Sequence, residues 1–187
     1  MRARIAKDLA RQIRLVILDV DGVLTDNGVY VGATAAGEAI ELKKFNILDG
    51  LGIKMLQWGG IEVALVSGRT SVASQLRADE LKIECHMSPS GEKIEAASDV
   101  IERHGVTWAE VACVCDDLAD LPLMSRAGLP VAVANGIPEV KALARWTTRT
   151  RGGDGAVREF AEELLKARGD WVRLVEEYVR KRDHAAS

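Results

Sequence analysis

The 187-residue sequence lacks several features that would mark special classes of protein. No apolar run approaches the roughly 20 residues that a membrane-spanning helix needs, so we expect none. Segment 1–14 carries charges throughout and has no apolar centre, so we expect no secretory signal. Internal repeats, low-complexity stretches and a convincing linker are also absent. We therefore predict a single domain over residues 1–187.

Cysteine is scarce, with Cys85, Cys113 and Cys115 as the three examples. An odd number without regular spacing argues against a disulfide framework and favours a reducing compartment, so we expect a cytoplasmic protein. Cys113 and Cys115 could form a metal pair, but no further Cys or His lies nearby. We favour two small residues on one face of a buried strand.

An excess of charge of one sign is missing as well. The net charge is -3, with acidic and basic residues mixed along the chain. A nucleic-acid-binding domain is usually strongly basic, so we expect no nucleic-acid partner. The 48% hydrophobic and 28% charged fractions are ordinary for a globular protein.

Short apolar runs alternate with segments of helical periodicity. The predicted strands cover 14–20, 62–66, 83–86, 111–114 and 130–134, and the predicted helices cover 49–57, 70–81, 91–104, 118–127, 138–144 and 156–167. This alternation predicts an α/β fold, a doubly wound parallel sheet with helices on both faces.

Two segments depart from the alternation. Segment 26–45 has two strand-like runs around small residues, which predicts a β-hairpin inserted after the first strand. Segment 167–182 predicts a C-terminal helical extension. One face of it is apolar at helical spacing, formed by Trp171, Leu174, Val175 and Tyr178. This face could pack on its own domain or against another subunit.

Two carboxylates close the first predicted strand. Asp19 and Asp21 stand two residues apart, and on an extended chain such residues point to the same side. The carboxyl ends of parallel strands form the ligand crevice of this fold class. Carboxylates that lie close repel unless a cation is bound, and Mg²⁺ suits such oxygen ligands.

Further polar residues follow later strands of the predicted sheet. Asp116, Asp117 and Asp120 follow one strand, Ser67 ends another, and Lys93 opens a helix. Singly, these residues could be helix caps, a turn residue and a surface charge. Together they supply what phosphoryl transfer needs, namely a nucleophile, a metal site and donors for the phosphoryl oxygens.

These residues carry a resemblance to a known superfamily. DVDGVLTD (19–26), SGR (67–69), Lys93 and DDLADLPLM (116–124) resemble the four motifs of the haloacid dehalogenase superfamily. Segment 43–69, Lys93 and RGGDGAVRE (151–159) are similar to the 3-deoxy-D-manno-octulosonate 8-phosphate (KDO-8-phosphate) phosphatases. Close relatives of that family act on nine-carbon sugar acid 9-phosphates.

The resemblance implies a Mg²⁺-dependent phosphatase with assigned roles. Asp19 would be the nucleophile, and Asp21 the acid for the leaving oxygen and then the base for water. Ser67 would bind the phosphoryl oxygens, and Lys93 would offset their charge. The implied metal ligands are Asp19, the backbone carbonyl of Asp21 and Asp116, with Asp117 and Asp120 in support.

The resemblance also implies a set of substrate contacts. They comprise Asp21, Asn46, Ile47, Leu48, Asp49, Gly50, Lys54, Arg69, Arg77 and Lys93. Guanidinium groups bind carboxylates and phosphates bidentately, so Arg69 and Arg77 suit a sugar acid phosphate. The sequence departs from the family at Leu48, where Arg is common, at Cys115, where Gly is usual, and in its longer C-terminal helix after Lys166.

The motif spacing leaves no room for the cap domain of larger superfamily members. A site without a cap would be open to water. In the resembled family a homotetramer encloses each site with hairpins and neighbouring subunits, and we expect the same assembly here.

Two other classes of function fit parts of the pattern. A phosphorylation-switch receiver shares the fold, but its phosphorylated Asp lies on a middle strand rather than after the first. An inactive oligomeric binding module would not need the complete set of motifs.

Overall fold

A computed structural model describes residues 4–90 and 92–183 of the chain. The strands are β1 (Leu15–Leu18), β2 (Tyr30–Ala33), β3 (Ala39–Leu42), β4 (Glu62–Ser67), β5 (Glu84–Met87), β6 (Val111–Cys115), β7 (Leu129–Ala132) and β8 (Trp146–Thr147). Six of them form one parallel sheet in the order β5-β4-β1-β6-β7-β8. β2 and β3 form a separate antiparallel hairpin.

The helices are α1 (Lys7–Gln12), α2 (Ile47–Trp58), α3 (Val72–Leu81), α4 (Lys93–Arg103), α5 (Leu121–Met124), α6 (Pro138–Leu143), α7 (Ala156–Arg168) and α8 (Trp171–Asp183), with 3₁₀ turns at Trp108–Glu110 and Leu118–Asp120. Among the described residues, five helices connect strands along the chain, α1 precedes β1, and α7 and α8 follow β8. In the described part of the chain, every helix is too short or too polar to cross a membrane.

Alternating side chains of the sheet divide the core into two layers. Val16 and Leu18 of β1 pack in one apolar cluster with α1, α2, α3 and α7. Leu15 and Ile17 pack in the other cluster with α4, α5 and α6. Because successive strand residues point to opposite faces, a fully apolar strand supplies both layers. This arrangement confirms the predicted doubly wound sheet.

The direction of the chain reverses around β1. β1 pairs with β4 on one side and with β6 on the other, so the chain runs outward to β5 and then returns. A crevice opens at the carboxyl ends of the strands at such a switch point. Asp19 follows β1, Ser67 ends β4 and Asp116 follows β6, which brings all three to this crevice.

The hairpin confirms the predicted insertion, with Tyr30 paired to Leu42 in antiparallel register. Its side chains are largely exposed. Between β4 and α4 the described chain holds only α3, β5 and their connections, so no cap domain occurs there.

Some predicted elements were wrong in extent. The predicted helix over 118–127 is a 3₁₀ turn followed by the single-turn α5, because the chain must reach β7 at Leu129. There the Gly128 N–H donates to the carbonyl of Trp108. The predicted start of α4 falls partly on residue 91, which lies outside the described residues. α1 and the two-residue β8 have no counterpart in the sequence-based prediction.

The structure shows the surroundings of the cysteine pair and of the apolar face of the C-terminal helix. Cys113 and Cys115 are both buried on β6, as the strand interpretation predicts. On α8, Leu174 is buried in the core, and the Tyr178 ring centroid lies 5.7 Å from that of Trp58. Part of the apolar face of α8 therefore packs on its own domain, while Val175 is left partly exposed.

Candidate active site

A buried lysine joins two buried carboxylates at the carboxyl end of the sheet. Lys93 Nζ donates hydrogen bonds to Asp19 Oδ1 at 2.5 Å and to Asp120 Oδ1 at 2.6 Å. Each of the three side chains is at most 7% exposed. Lys93 is the first residue of α4, so that helix delivers the ammonium to the crevice.

Burial and crowded charge perturb the acidity of these groups. Burial, together with the negative charge of Asp120, raises the pKa of Asp19 to about 7, although Lys93 opposes this shift. Burial disfavours the charged form of Lys93, but Asp19 and Asp120 outweigh it and raise the Lys93 pKa. Perturbed groups in a crevice are characteristic of functional sites.

Asp116 completes a cluster of carboxylates. One oxygen each from Asp19, Asp116 and Asp120 lie within 4.8 Å of one another. Burial raises the pKa of Asp116 to about 8, with further contributions from the charges of Asp19, Asp120 and Asp117. A bound cation would relieve the repulsion among these groups.

Two observations show that this cluster fits Mg²⁺. Asp116 Oδ1 is buried and has no hydrogen-bond partner in the protein, so a ligand position is free. Gly22 packs against the same carboxylate, and a Cβ at that position would lie 2.0 Å from Asp116 Oδ2. Carboxylate oxygens are the ligands that Mg²⁺ prefers.

Asp120 and Asp117 have additional structural contacts. Asp120 Oδ2 accepts from the backbone N–H groups of Asp116 at 3.2 Å and Asp117 at 3.4 Å. Both Asp120 oxygens are therefore engaged, which suits support of the site better than direct ligation. The exposed Asp117 caps the following 3₁₀ turn by accepting from the Leu118 N–H at 2.7 Å.

The Ser67 hydroxyl stands at the end of β4 and is buried. It accepts a hydrogen bond from the Arg69 N–H at 3.2 Å, which fixes the turn after the strand. The Arg69 guanidinium lies 3.7 Å from Asp21 Oδ2 and 3.0 Å from Glu41 Oε2. Ser67 and Arg69 thus border the same crevice as Asp21.

Two polar residues at this site were missed by the sequence interpretation. Lys43 contacts Asp21, with Nζ 2.8 Å from Oδ1. Asn135 joins two loops, donating to the carbonyl of Gly22 at 2.9 Å and accepting from the Gly152 N–H at 2.6 Å. Glu41 and Lys43 stand two residues apart at the base of the hairpin, so their side chains point to the same side. This spacing is the signal in the sequence from which Lys43 could be identified as a candidate site residue.

Several predicted substrate contacts have other partners in the structure. The Asp49 carboxylate is buried, and its Oδ1 accepts from the backbone N–H of Arg158 at 2.8 Å, at the start of α7. Gly50 is buried beside Arg77. The Lys54 ammonium donates to the carbonyl of Leu81 and to Gln57. The side chains of Asp49 and Lys54 thus make helix contacts in this structure, and their role in substrate binding stays a prediction.

The remaining predicted contacts surround the start of α2. Asn46 caps this helix, its Oδ1 accepting from the Leu48 N–H at 2.8 Å. Arg77 Nη2 donates to the Asn46 carbonyl at 3.2 Å, and its guanidinium lies over the Phe45 ring. Ile47 is 84% exposed and Leu48 is 55% exposed, so both stay available to a ligand or a neighbouring chain.

Comparison with known proteins places this site in a family. Residues 86–160 match the family model described as haloacid dehalogenase-like hydrolase. The chain is 44% identical over 160 residues to the 3-deoxy-D-manno-octulosonate 8-phosphate phosphatase KdsC of Escherichia coli strain K12, covering 86% of this chain and 83% of that protein.

Solved structures show the same relationship. One is the 3-deoxy-D-manno-octulosonate 8-phosphate phosphatase of Moraxella catarrhalis in complex with a magnesium ion, a phosphate ion and KDO. It has a TM-score of 0.84 and 32% identity, covering 92% of this chain and 97% of that one. The cobalt-bound phosphatase YrbI of Haemophilus influenzae has a TM-score of 0.79 and 40% identity, with coverage of 87% and 93%. The chain belongs to the KdsC family of 3-deoxy-D-manno-octulosonate 8-phosphate phosphatases, within the haloacid dehalogenase-like hydrolases.

Proposed function

We propose that this protein is a Mg²⁺-dependent phosphatase that hydrolyses KDO 8-phosphate to KDO and inorganic phosphate. The observation that carries the proposal is the buried cluster of Asp19, Asp116 and Asp120, neutralised in part by Lys93. The similarity to the KdsC proteins supports the choice of substrate.

The proposed reaction has two steps, both at phosphorus. In the first, an oxygen of Asp19 bonds to phosphorus, the bond between phosphorus and the sugar oxygen breaks, and Asp21 gives its proton to that oxygen. In the second, Asp21 takes a proton from water as the water oxygen attacks phosphorus. Inorganic phosphate then leaves, and the Asp19 carboxylate is regenerated.

The other residues of the crevice prepare these steps. Lys93 holds Asp19 in place by a direct hydrogen bond and offsets negative charge near the phosphoryl group. The buried hydroxyl of Ser67 donates to the Arg69 carbonyl at 3.3 Å in this structure and would turn to a phosphoryl oxygen when substrate is bound. Asp19, Asp116 and the backbone carbonyl of Asp21 would hold Mg²⁺, with Asp117 and Asp120 in support. Bound Mg²⁺ would neutralise charge that develops on the phosphoryl oxygens.

A nine-carbon sugar acid 9-phosphate is the second candidate substrate. Leu48 is the reason to consider it, because this exposed residue stands where an arginine is common in KDO-8-phosphate phosphatases, so one anion contact typical of those enzymes is missing. A guanidinium that binds a carboxylate or phosphate in other members of the family is therefore absent at position 48. Arg69 provides a guanidinium beside Asp21 for either substrate.

We also propose that the chain assembles as a homotetramer in the cytoplasm. The hairpin supports the assembly, because Tyr30, Val31 and Leu42 are 62%, 80% and 61% exposed. Exposed apolar residues that cluster on one element are typical of interaction surfaces. Sedimentation of the purified protein tests the assembly, and a fully active monomer would overturn it.

A phosphate-release screen tests the proposed substrate. The screen compares KDO 8-phosphate, nine-carbon sugar acid 9-phosphates and common hexose phosphates. We expect the highest kcat/KM with KDO 8-phosphate. Activity should disappear with EDTA and return with added Mg²⁺. Preference for the nine-carbon substrate would support the second candidate, and preference for a hexose phosphate would overturn both.

A further inference from the structure

A second lysine, on the hairpin side of the crevice, holds the other catalytic carboxylate. Lys43 follows the end of β3, and its side chain is completely buried. Its Nζ lies 2.8 Å from Asp21 Oδ1 and donates a hydrogen bond to Asp21 Oδ2 at 3.0 Å. Both oxygens of the carboxylate are therefore within reach of one ammonium group.

The surroundings of Lys43 fix it in that position. Its ammonium also donates to Ser74 Oγ at 3.1 Å and lies 4.0 Å from Glu41 Oε1. Glu41 in turn accepts from Ser71 Oγ at 2.5 Å and from Arg69 Nη2 at 3.0 Å. These contacts tie the base of the otherwise exposed hairpin to the start of α3.

Burial of this ammonium calls for a functional explanation. Removing a lysine charge from water is costly and is offset only by well-placed partners. Most of the hairpin is exposed, and Lys44, next in the chain, is 53% exposed and pairs with Asp26 and Asp154. The hairpin thus directs one of two adjacent lysines inward, onto the residue proposed to handle the proton.

The contact has two consequences for the reaction. A carboxylate held by a fixed donor loses rotational freedom, which favours the geometry needed for proton transfer to the leaving oxygen. Asp21 also becomes negative as its proton leaves, and a neighbouring ammonium stabilises that charge. Arg69, 3.7 Å from Asp21 Oδ2 and half exposed, is less constrained than Lys43.

We propose that Lys43 is a positioning residue for Asp21, so that the hairpin supplies part of the proton-transfer apparatus of its own subunit. This inference rests on the proposed phosphatase function. Within the first step of the reaction, it assigns Lys43 to the protonation of the departing sugar oxygen by Asp21 and not to the attack of Asp19 on phosphorus.

Comparison of two leaving groups tests the proposal. A sugar alkoxide needs a proton in order to leave, whereas 4-nitrophenolate is a stable anion that needs little help. For Lys43→Met we expect kcat/KM to fall about 100-fold with KDO 8-phosphate and less than about 3-fold with 4-nitrophenyl phosphate. The matched control Lys44→Met removes the adjacent positive charge and should leave the ratio of the two kcat/KM values unchanged.

A double variant separates positioning from general damage to the fold. Once Asp21→Asn has removed the proton donor, adding Lys43→Met should lower kcat/KM for KDO 8-phosphate by less than about 3-fold further. If Lys43→Met does not fold, as judged by circular dichroism, Lys43→Leu replaces it in both experiments, because Leu also lacks a donor and fills part of the space of the buried side chain.

The outcomes are distinct. Equal losses on the two substrates, or multiplicative losses in the double variant, would overturn the role of Lys43 and leave the phosphatase function standing. A wild-type protein inactive on both phosphates would overturn the proposed function itself. A loss confined to KDO 8-phosphate and absent in the Asp21→Asn background would support the inference.

Discussion

Gly22 packs directly against Asp116, and a Cβ at position 22 would lie 2.0 Å from Asp116 Oδ2. Gly22 also has a φ of +88°, a conformation that residues with a side chain rarely adopt. Position 22, in the loop after β1, therefore requires glycine for two reasons: its backbone conformation and the space that the Asp116 carboxylate occupies.

We expect Gly22→Ala to displace the Asp116 carboxylate and to raise the Mg²⁺ concentration that gives half-maximal activity by about 10-fold or more. The matched control is Gly60→Ala, because Gly60 has a φ of +75° and nothing within 4 Å of an added Cβ. Both variants should lose about 1–2 kcal/mol of stability from backbone strain. An unchanged Mg²⁺ requirement in Gly22→Ala would show that Asp116 is not a ligand.

Removal of Lys93 should leave Asp19 and Asp120 without their shared cation. For Lys93→Met, we expect kcat/KM to fall at least about 100-fold. In EDTA at pH 7, the free energy of unfolding should fall by about 3–5 kcal/mol, the usual effect of breaking a buried ion pair. The loss should shrink at pH 5, because Asp19, whose pKa burial raises to about 7, is then protonated and depends less on the Lys93 charge.

Urea denaturation at the two pH values checks the stability effect of Lys93→Met. Lys141→Met, at an exposed position on α6, makes the same change of net charge and should have little effect. A stability loss that does not depend on pH would argue against repulsion between Asp19 and Asp120 as its cause.

Asp49 should make stability depend on pH between about 4 and 6. Burial raises its pKa from 3.8 to about 6, despite hydrogen bonds from the backbone N–H groups of Arg158, Gly155 and Val157. The folded state therefore holds a proton that the unfolded state has lost, so stability falls as pH rises through this window.

For Asp49→Asn, the carbonyl oxygen still accepts from the Arg158 N–H, but the side chain does not ionise. We expect the variant to match the wild type near pH 4 and to exceed it by about 3 kcal/mol at pH 7. Unfolding free energies at pH 4, 5, 6 and 7 provide the measurement. A difference between variant and wild type that stays constant over this range would contradict the ionisation of a buried Asp49.

Local patterns in the sequence predicted the parts of the fold and site that depend on strand order. A fully apolar run gave β1, and the position of Asp19 directly after it placed that carboxylate at the sheet switch point. Ser67 and Asp116 followed by the same reasoning, because parallel strands share one carboxyl edge.

Contacts that depend on how helices, strands and the hairpin pack against one another could not be predicted from local sequence patterns. Lys43 reaches Asp21 only because the hairpin folds back over α3, which periodicity does not reveal. Asp49 accepts from the Arg158 N–H at the start of α7, which begins more than 100 residues later, and no local pattern indicates this contact. The two-residue strand β8 is too short to leave a pattern.

The central claim is that Asp19 carries the phosphoryl group, and chemical trapping tests it most directly. Protein mixed with KDO 8-phosphate and Mg²⁺, quenched during turnover and treated with borohydride should contain homoserine at position 19, because borohydride reduces an acyl phosphate but not a free carboxylate. Peptide mass spectrometry should find this change at Asp19 and not in Asp19→Asn. Reduction at another carboxylate, or none while phosphate is released at the wild-type rate, would contradict the account.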